Sequence, residues 1–211
     1  MTNHEYTENE IKEYNKCKED IVYFAENYVK LLDMITIKLY PYQEQILTED
    51  RVVAKTSRRI GFSLLSQIKI LHSLIFESSK TLVIYSVCME HSMVSINNIR
   101  MMIDNLPDFL KPKLTTNNKS QLETENHSRL VGVSNDLSIR SLRINELYIE
   151  DYDFFNNSQE IISTLQVTLV DKNSKIWIWS VNISGNLSRL ENDIKLNGNK
   201  SGFIFYDLYD T

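Results

Sequence analysis

Short, almost continuously apolar runs alternate along this chain with longer segments of helical periodicity, and that rhythm leaves few architectures open. Arg51–Lys55, Thr81–Ser86, Leu147–Ile149, Lys175–Ser180 and Phe203–Tyr206 read as strands; Phe62–Phe76, His91–Leu106 and Ser158–Leu169 read as helices. Gln121–Glu125 and Arg129–Val133 form a hairpin pattern around Asn126-His127. Strands without polar alternation are buried on both faces, which predicts an α/β fold, a mainly parallel sheet with helices on both sides. Upstream, Glu10 to Leu32 shows helical spacing, Ile35–Leu39 reads as a short strand, and Pro41 opens a helix to about Leu47. The expected division is a helical segment over 1–34 and a core over 35–211.

Composition narrows the function classes. The 211 residues are 42% hydrophobic, enough for a core, and carry a net charge of −5. A free-standing duplex binder carries a basic face, so contact with DNA is expected only within a larger assembly. Cys17 and Cys88 stand far apart and read as reduced cytosolic thiols. The longest apolar run, Thr81–Met89, is too short to span a bilayer, so no membrane partner is expected. His4, His72, His91 and His127 lack metal-ligand spacing. Trp177 and Trp179, two residues apart on a strand, read as core.

The chemistry concentrates where strands end. Lys55-Thr56-Ser57-Arg58-Arg59-Ile60-Gly61-Phe62-Ser63 joins a strand to a helix N-terminus, the arrangement of a phosphate-binding loop. Against G-x-x-x-x-G-K-[ST], Thr56 replaces the first glycine and Phe62 the lysine, while Ser63 keeps the hydroxyl that binds Mg²⁺. Lys55, Arg58 and Arg59 are the local cations. Arg58 and Arg59 read equally well as solvated loop charges, and Ser63 as a helix N-terminal serine. Glu150-Asp151 ends the Glu146–Ile149 strand and offers two carboxylates for metal and water, or simply two solvated acids. Gln43 has an amide suited to the edge of adenine, with Tyr42 beside it to stack. Ser180 to Gly185 is a polar turn after a buried strand, able to sense a γ-phosphate or merely to close the strand.

The order of these elements resembles the N-terminal ATPase domain of tailed-phage terminase large subunits, the DNA-packaging motors, most closely those of myovirus type. The resemblance runs from about Cys17 to the C-terminus. Asp20–Tyr28, Leu39-Tyr40-Pro41-Tyr42-Gln43, Ser57-Arg58-Arg59-Ile60-Gly61, Leu106–Leu110 and Leu147–Asp151 carry it, in the family's order. The third of these is similar to the family's S-R-Q-x-G-K-T loop.

The resemblance implies a P-loop NTPase-like fold, ATP and Mg²⁺ as cofactors, and portal or small terminase protein as partners. It also implies double-stranded DNA within an assembly, a homo-oligomer and a host-cytoplasmic location. It places Gln43 and Tyr42 at adenine, and Ser57, Arg58, Arg59, Gly61 and Ser63 at the phosphates. Glu150 falls in the Mg²⁺ slot with Ser63, Asp151 in the catalytic slot, and Ser180 and Asn182 in the coupling turn. Lambdoid terminases are similar in placing an aromatic at the lysine position and a lysine earlier in the loop; Lys55 matches that lysine, one residue further upstream. The inverted acidic order and the missing loop lysine lead to the expectation that hydrolysis is slow or lost. No counterpart of the family's RNase-H-like nuclease is read in these residues. Two other readings stay open: an inactive homologue that binds a phage partner, and a helicase-like ATPase.

Overall fold

The computed structural model of the chain describes residues 6–30, 35–134, 142–156, 161, 174–181, 185–200 and 202–208. Among these are helices α1 (Glu8–Glu19), α2 (Ile21–Tyr28), α3 (Pro41–Thr48), α4 (Phe62–Phe76), α5 (Met89–Asp104) and α6 (Asn186–Leu196). The strands are β1 (Arg51–Thr56), β2 (Thr81–Tyr85), β3 (Leu114–Asn117), β4 (Gln121–Thr124), β5 (Arg129–Val133), β6 (Glu146–Ile149), β7 (Lys175–Ser180) and β8 (Ile204–Leu208). All eight belong to one sheet, in the order β3-β4-β5-β2-β6-β7-β1-β8. β3, β4 and β5 pair antiparallel at one edge; every other pairing is parallel. The mainly parallel α/β fold read from the sequence is therefore present.

Side chains that alternate along each strand feed two cores. Val52, Ala54, Leu82, Ile84, Tyr148, Trp177 and Trp179 join the apolar faces of α2 to α5. Val53, Val83, Leu147, Ile149, Ile176 and Ile178 meet Leu187 and Leu190 of α6 on the other side. Gly132 of β5 lets α5 lie close against the sheet, since a Cβ there would stand 2.8 Å from the Ser92 Cβ. Both tryptophans are buried, as expected.

Several local expectations need correction. Ile35–Leu39 forms no strand: Thr36 makes one isolated bridge with Lys30, and Ile35 stays 63% exposed. The alternation of that segment reflects one side packing on the core through Ile37 and Leu39. β3 and α6 add elements that the strand–helix rhythm omitted. Of the methionines on α5 only Met102 is buried, and Ile96, Ile99 and Ile103 form the apolar face instead. The Ser158–Leu169 helix lies outside the described residues apart from Ile161, which is helical and buried.

Candidate functional site

Parallel strands open a crevice at their carboxyl ends, and here the ends of β6, β7 and β1 lie side by side. A cavity of about 260 Å³ forms there. Its walls are the Thr56–Ser63 loop, Asp151 after β6, and Trp179 and Val181 at the end of β7. The three segments singled out in the sequence thus converge on one end of the sheet.

The loop owes its shape to two residues in the left-handed region, Arg59 at φ 68° and Gly61 at φ 82°. Positive and negative φ alternating along a turn aim successive N–H groups into one concavity, which favours an anion. Gly61 is also the N-cap of α4 and supplies no side-chain cap. The first-turn amides of that 15-residue helix therefore keep their donors for a ligand, with the positive end of the helix dipole behind them. Glycine is required twice over at this position: a Cβ would be strained at this φ and would come 2.9 Å from Gln43 Nε2. Arg58, Arg59 and Ser63 are exposed on the cavity wall.

Phe62 borders the cavity, but most of its ring is turned into the core. It is 4% exposed and packs against Trp177 and Trp179, with ring centroids 5.6 and 5.3 Å away. The lysine slot of the loop has become part of the core.

Lys55 is not among the residues that line the cavity. On β1 it alternates with Thr56, so while Thr56 lines the cavity, Lys55 emerges on the α6 side. There its Nζ pairs with Glu191 at 2.8 Å. Among the described residues, the two cations that line the cavity are Arg58 and Arg59 of the loop.

The acidic pair is split by a backbone turn. Glu150 is 7% exposed and accepts hydrogen bonds from Ser86 Oγ (2.8 Å) and Ser95 Oγ (2.9 Å). Burial pushes its carboxyl above the usual range, partly offset by the two hydroxyl donors. Asp151 follows at φ 55°, ψ 44°, a left-handed conformation rare outside glycine. That turn sends Asp151 into the cavity and leaves Glu150 behind it. Desolvation raises the Asp151 carboxyl, while the nearby His91 and Arg58 side chains pull it back down. Glu150 is not among the residues that line the cavity, whereas Ser63 is.

Gln43 and Tyr42 brace the loop from behind. Gln43 Nε2 donates to the Ile60 carbonyl at 3.0 Å, and the Tyr42 hydroxyl donates to the same oxygen at 3.2 Å. Gln43 Oε1 accepts from the Tyr40 amide at 3.0 Å. Neither residue lines the cavity.

Ser57 lies on the cavity wall; Ser180 does not. Ser180 Oγ accepts from the Asp153 amide at 3.1 Å, and Asp153 Oδ1 accepts from the Leu187 amide in the first turn of α6 at 2.7 Å. Ser180 thus ties the end of β7 to the start of α6. Asn182 lies outside the described residues. The sequence reading missed Trp179 as a cavity wall, while Val181 falls inside the Ser180–Gly185 turn it had singled out. It also missed Ser86 and Ser95, which carry no local signal.

Mg²⁺ usually keeps several waters and takes only one or two carboxylates plus phosphate oxygens. Ser63 and Asp151 on one wall fit that modest demand. Among the described residues no group of three or more His, Cys, Asp or Glu could hold a metal by itself. No described helix is long and apolar enough to cross a membrane.

No protein-family model matches the chain. Its fold is that of phage large-terminase ATPase domains. The HK97 bacteriophage large terminase superposes with a TM-score of 0.68 at 13% identity, over 92% of this chain and 45% of that one. A large terminase from a thermophilic bacteriophage, solved in complex with ADP, gives 0.62 at 9% identity, over 81% and 45%. A variant of S. cerevisiae Dbp5 bound to Nup159, Gle1, IP6 and ADP gives 0.56 at 12% identity, over 81% and 48%. The chain spans about half the length of these proteins.

Proposed function

We propose that the chain is a terminase-type ATPase module of a viral DNA-packaging machine, holding a nucleoside triphosphate at the Arg58–Ser63 loop and hydrolysing it slowly. The observation that carries this is the placement of Asp151, Arg58, Arg59 and the uncapped start of α4 on one 260 Å³ cavity. Solved proteins of the same fold bind ADP. The phosphates would lie on the Gly61–Ser63 amides, with Arg58 and Arg59 replacing the charge of the missing lysine through planar, bidentate contacts.

Ser63 and Asp151 would hold Mg²⁺, which when bound neutralises the negative charge shared by the β- and γ-phosphates. Among the described residues Asp151 is then the one acid on the cavity wall for two tasks, since Glu150 is occupied by Ser86 and Ser95. A carboxylate engaged with the metal is poorly placed to orient the attacking water. Misplacement of a catalytic group by about 1 Å can cost roughly a hundredfold, and slow turnover follows. Partners in this reading are a portal or small terminase protein and double-stranded DNA, in the cytoplasm of a phage host, with copies of the chain forming an oligomer.

The buried Phe62 and the sequestered Glu150 favour a second reading, an inactive homologue that keeps the fold to bind a phage partner. Phosphate release from ATP with and without Mg²⁺ and DNA separates the two. Turnover that falls at least tenfold in Arg58→Ala and in Asp151→Asn supports the ATPase. Absence of both binding and turnover at millimolar ATP leaves the partner-binding reading.

A further inference from the structure

Two serines hold the Glu150 carboxyl, one on each oxygen. Ser86 Oγ, just past the end of β2, donates to Oε2 at 2.8 Å, and Ser95 Oγ of α5 donates to Oε1 at 2.9 Å. All three residues are buried. The Glu150 amide donates to the Tyr85 carbonyl at 3.0 Å, so backbone and side chain both tie this residue to the end of β2. None of the three lines the cavity.

Asp151, the next residue, does line it. Its backbone, at φ 55° and ψ 44°, is one that a residue other than glycine keeps only where its surroundings hold it there. Downstream, Phe155 stacks on Tyr85 with centroids 4.9 Å apart, and the Asp153 amide donates to Ser180 Oγ at 3.1 Å. Upstream, the hold is the Glu150 side chain. A carboxyl bonded at both oxygens cannot rotate without giving up a bond, and the peptide leading into Asp151 is fixed with it.

We infer that Glu150 is a positioning residue: the Ser86–Glu150–Ser95 clamp holds the turn that aims Asp151 into the cavity, and it needs two hydrogen-bonding atoms but no negative charge. The inference rests on the nucleotide-binding reading above and gives the second acid of the Glu150-Asp151 pair a role apart from the metal. Glutamine meets the same requirement. Its carbonyl oxygen accepts from one serine while its NH₂ donates to the other, whose hydroxyl can turn to accept. Alanine does not.

Binding of a fluorescent ribose-labelled ATP in Mg²⁺ and in EDTA tests this on the wild type, Asp151→Asn, Glu150→Gln and Glu150→Ala, with a melting curve for each. In EDTA the wild type and both Glu150 variants should bind within about twofold of one another, because the loop is untouched. Mg²⁺ should tighten the wild type at least about tenfold, and Glu150→Gln by the same factor within about twofold. Asp151→Asn and Glu150→Ala should keep no more than about threefold of that gain. The double variant Ser86→Ala/Ser95→Ala should lose the gain as Glu150→Ala does, and it takes that variant's place if Glu150→Ala does not melt cooperatively. Loss of the Mg²⁺ gain in Glu150→Gln overturns the inference, as does its full retention in Glu150→Ala. Equal weakening of Glu150→Ala in Mg²⁺ and EDTA, or a wild type indifferent to Mg²⁺, overturns it too. In each of these cases wild-type binding still upholds the nucleotide site. A wild type that binds no label in either condition overturns the nucleotide reading and this inference together.

Discussion

The two ends of the sheet treat charge in opposite ways. At the amino ends of β6 and β7, Lys175 Nζ bonds to Glu146 Oε1 at 2.8 Å, to Ser73 Oγ at 3.0 Å and to Glu77. Tyr148 donates its hydroxyl to Glu146 Oε2 at 2.8 Å, and Lys69 reaches the Leu47 carbonyl at 3.0 Å and Asp50 at 3.4 Å. Lys69 and Glu146 are buried, and these charges are matched. At the carboxyl ends, Arg58 and Arg59 stand exposed, Arg59 and Asp151 hold left-handed backbones, and Asp151 is raised by burial. Satisfied polar groups hold a fold in one arrangement; strained or under-matched ones are kept where a ligand completes them. The amino end holds the fold together, and the carboxyl end carries the proposed site.

The largest expected effect lies at the amino end. Lys175→Ala leaves Glu146, 2% exposed, without its cation and should destabilise by about 3–5 kcal/mol in urea unfolding. A change under about 1 kcal/mol would show that this end is not what secures the fold. Gly61→Ala comes next and touches both functions. Forcing a Cβ into the left-handed region against Gln43 should cost about 1–3 kcal/mol and abolish nucleotide binding.

An acid titration sharpens the contrast further. His72 of α4 is pushed down to about 4 by burial, with Nε2 on the Cys17 carbonyl of α1 at 3.0 Å. The unfolded chain protonates this histidine near its ordinary pKa of 6.5 while the folded chain does not. Stability is therefore full above pH 6.5 and lost as pH falls toward 4, by about 1–2 kcal/mol at pH 5 after allowing for partial exposure. Urea midpoints for wild type and His72→Gln should converge across that window. Equal slopes in both proteins would remove His72 from the account. The smallest effect on stability belongs to Arg58→Ala, within about 0.5 kcal/mol because the residue is exposed, although nucleotide affinity should fall at least tenfold.

The same contrast explains what was legible in the sequence. Strands β1, β2, β6 and β7 announced themselves by unbroken apolar runs, and the loop, Asp151 and the end of β7 followed from where those strands stop. What stayed hidden depended on partners distant in sequence. Glu150 is claimed by Ser86 and Ser95, which are 64 and 55 residues away and ordinary in their local setting. The fate of Lys55 was set by Glu191 on α6, a helix to which the sequence reading assigned no element although Leu187, Leu190 and Ile194 recur at helical spacing. β3 is a half-exposed edge strand of sequence Leu-Thr-Thr-Asn, too polar to signal burial. Gln43 was recognised as special, but a side chain that braces the loop and one that reads a base look alike in sequence.

The central claim is that the turn before Phe62 is a ligand site made of backbone amides. Amide ¹H–¹⁵N spectra during titration with tripolyphosphate test it directly, because the probe has no base to bind elsewhere. The account predicts saturable shifts at Ile60, Gly61 and Ser63 that vanish in Arg58→Ala. Shifts confined to other surfaces, or none at millimolar concentration, would contradict it.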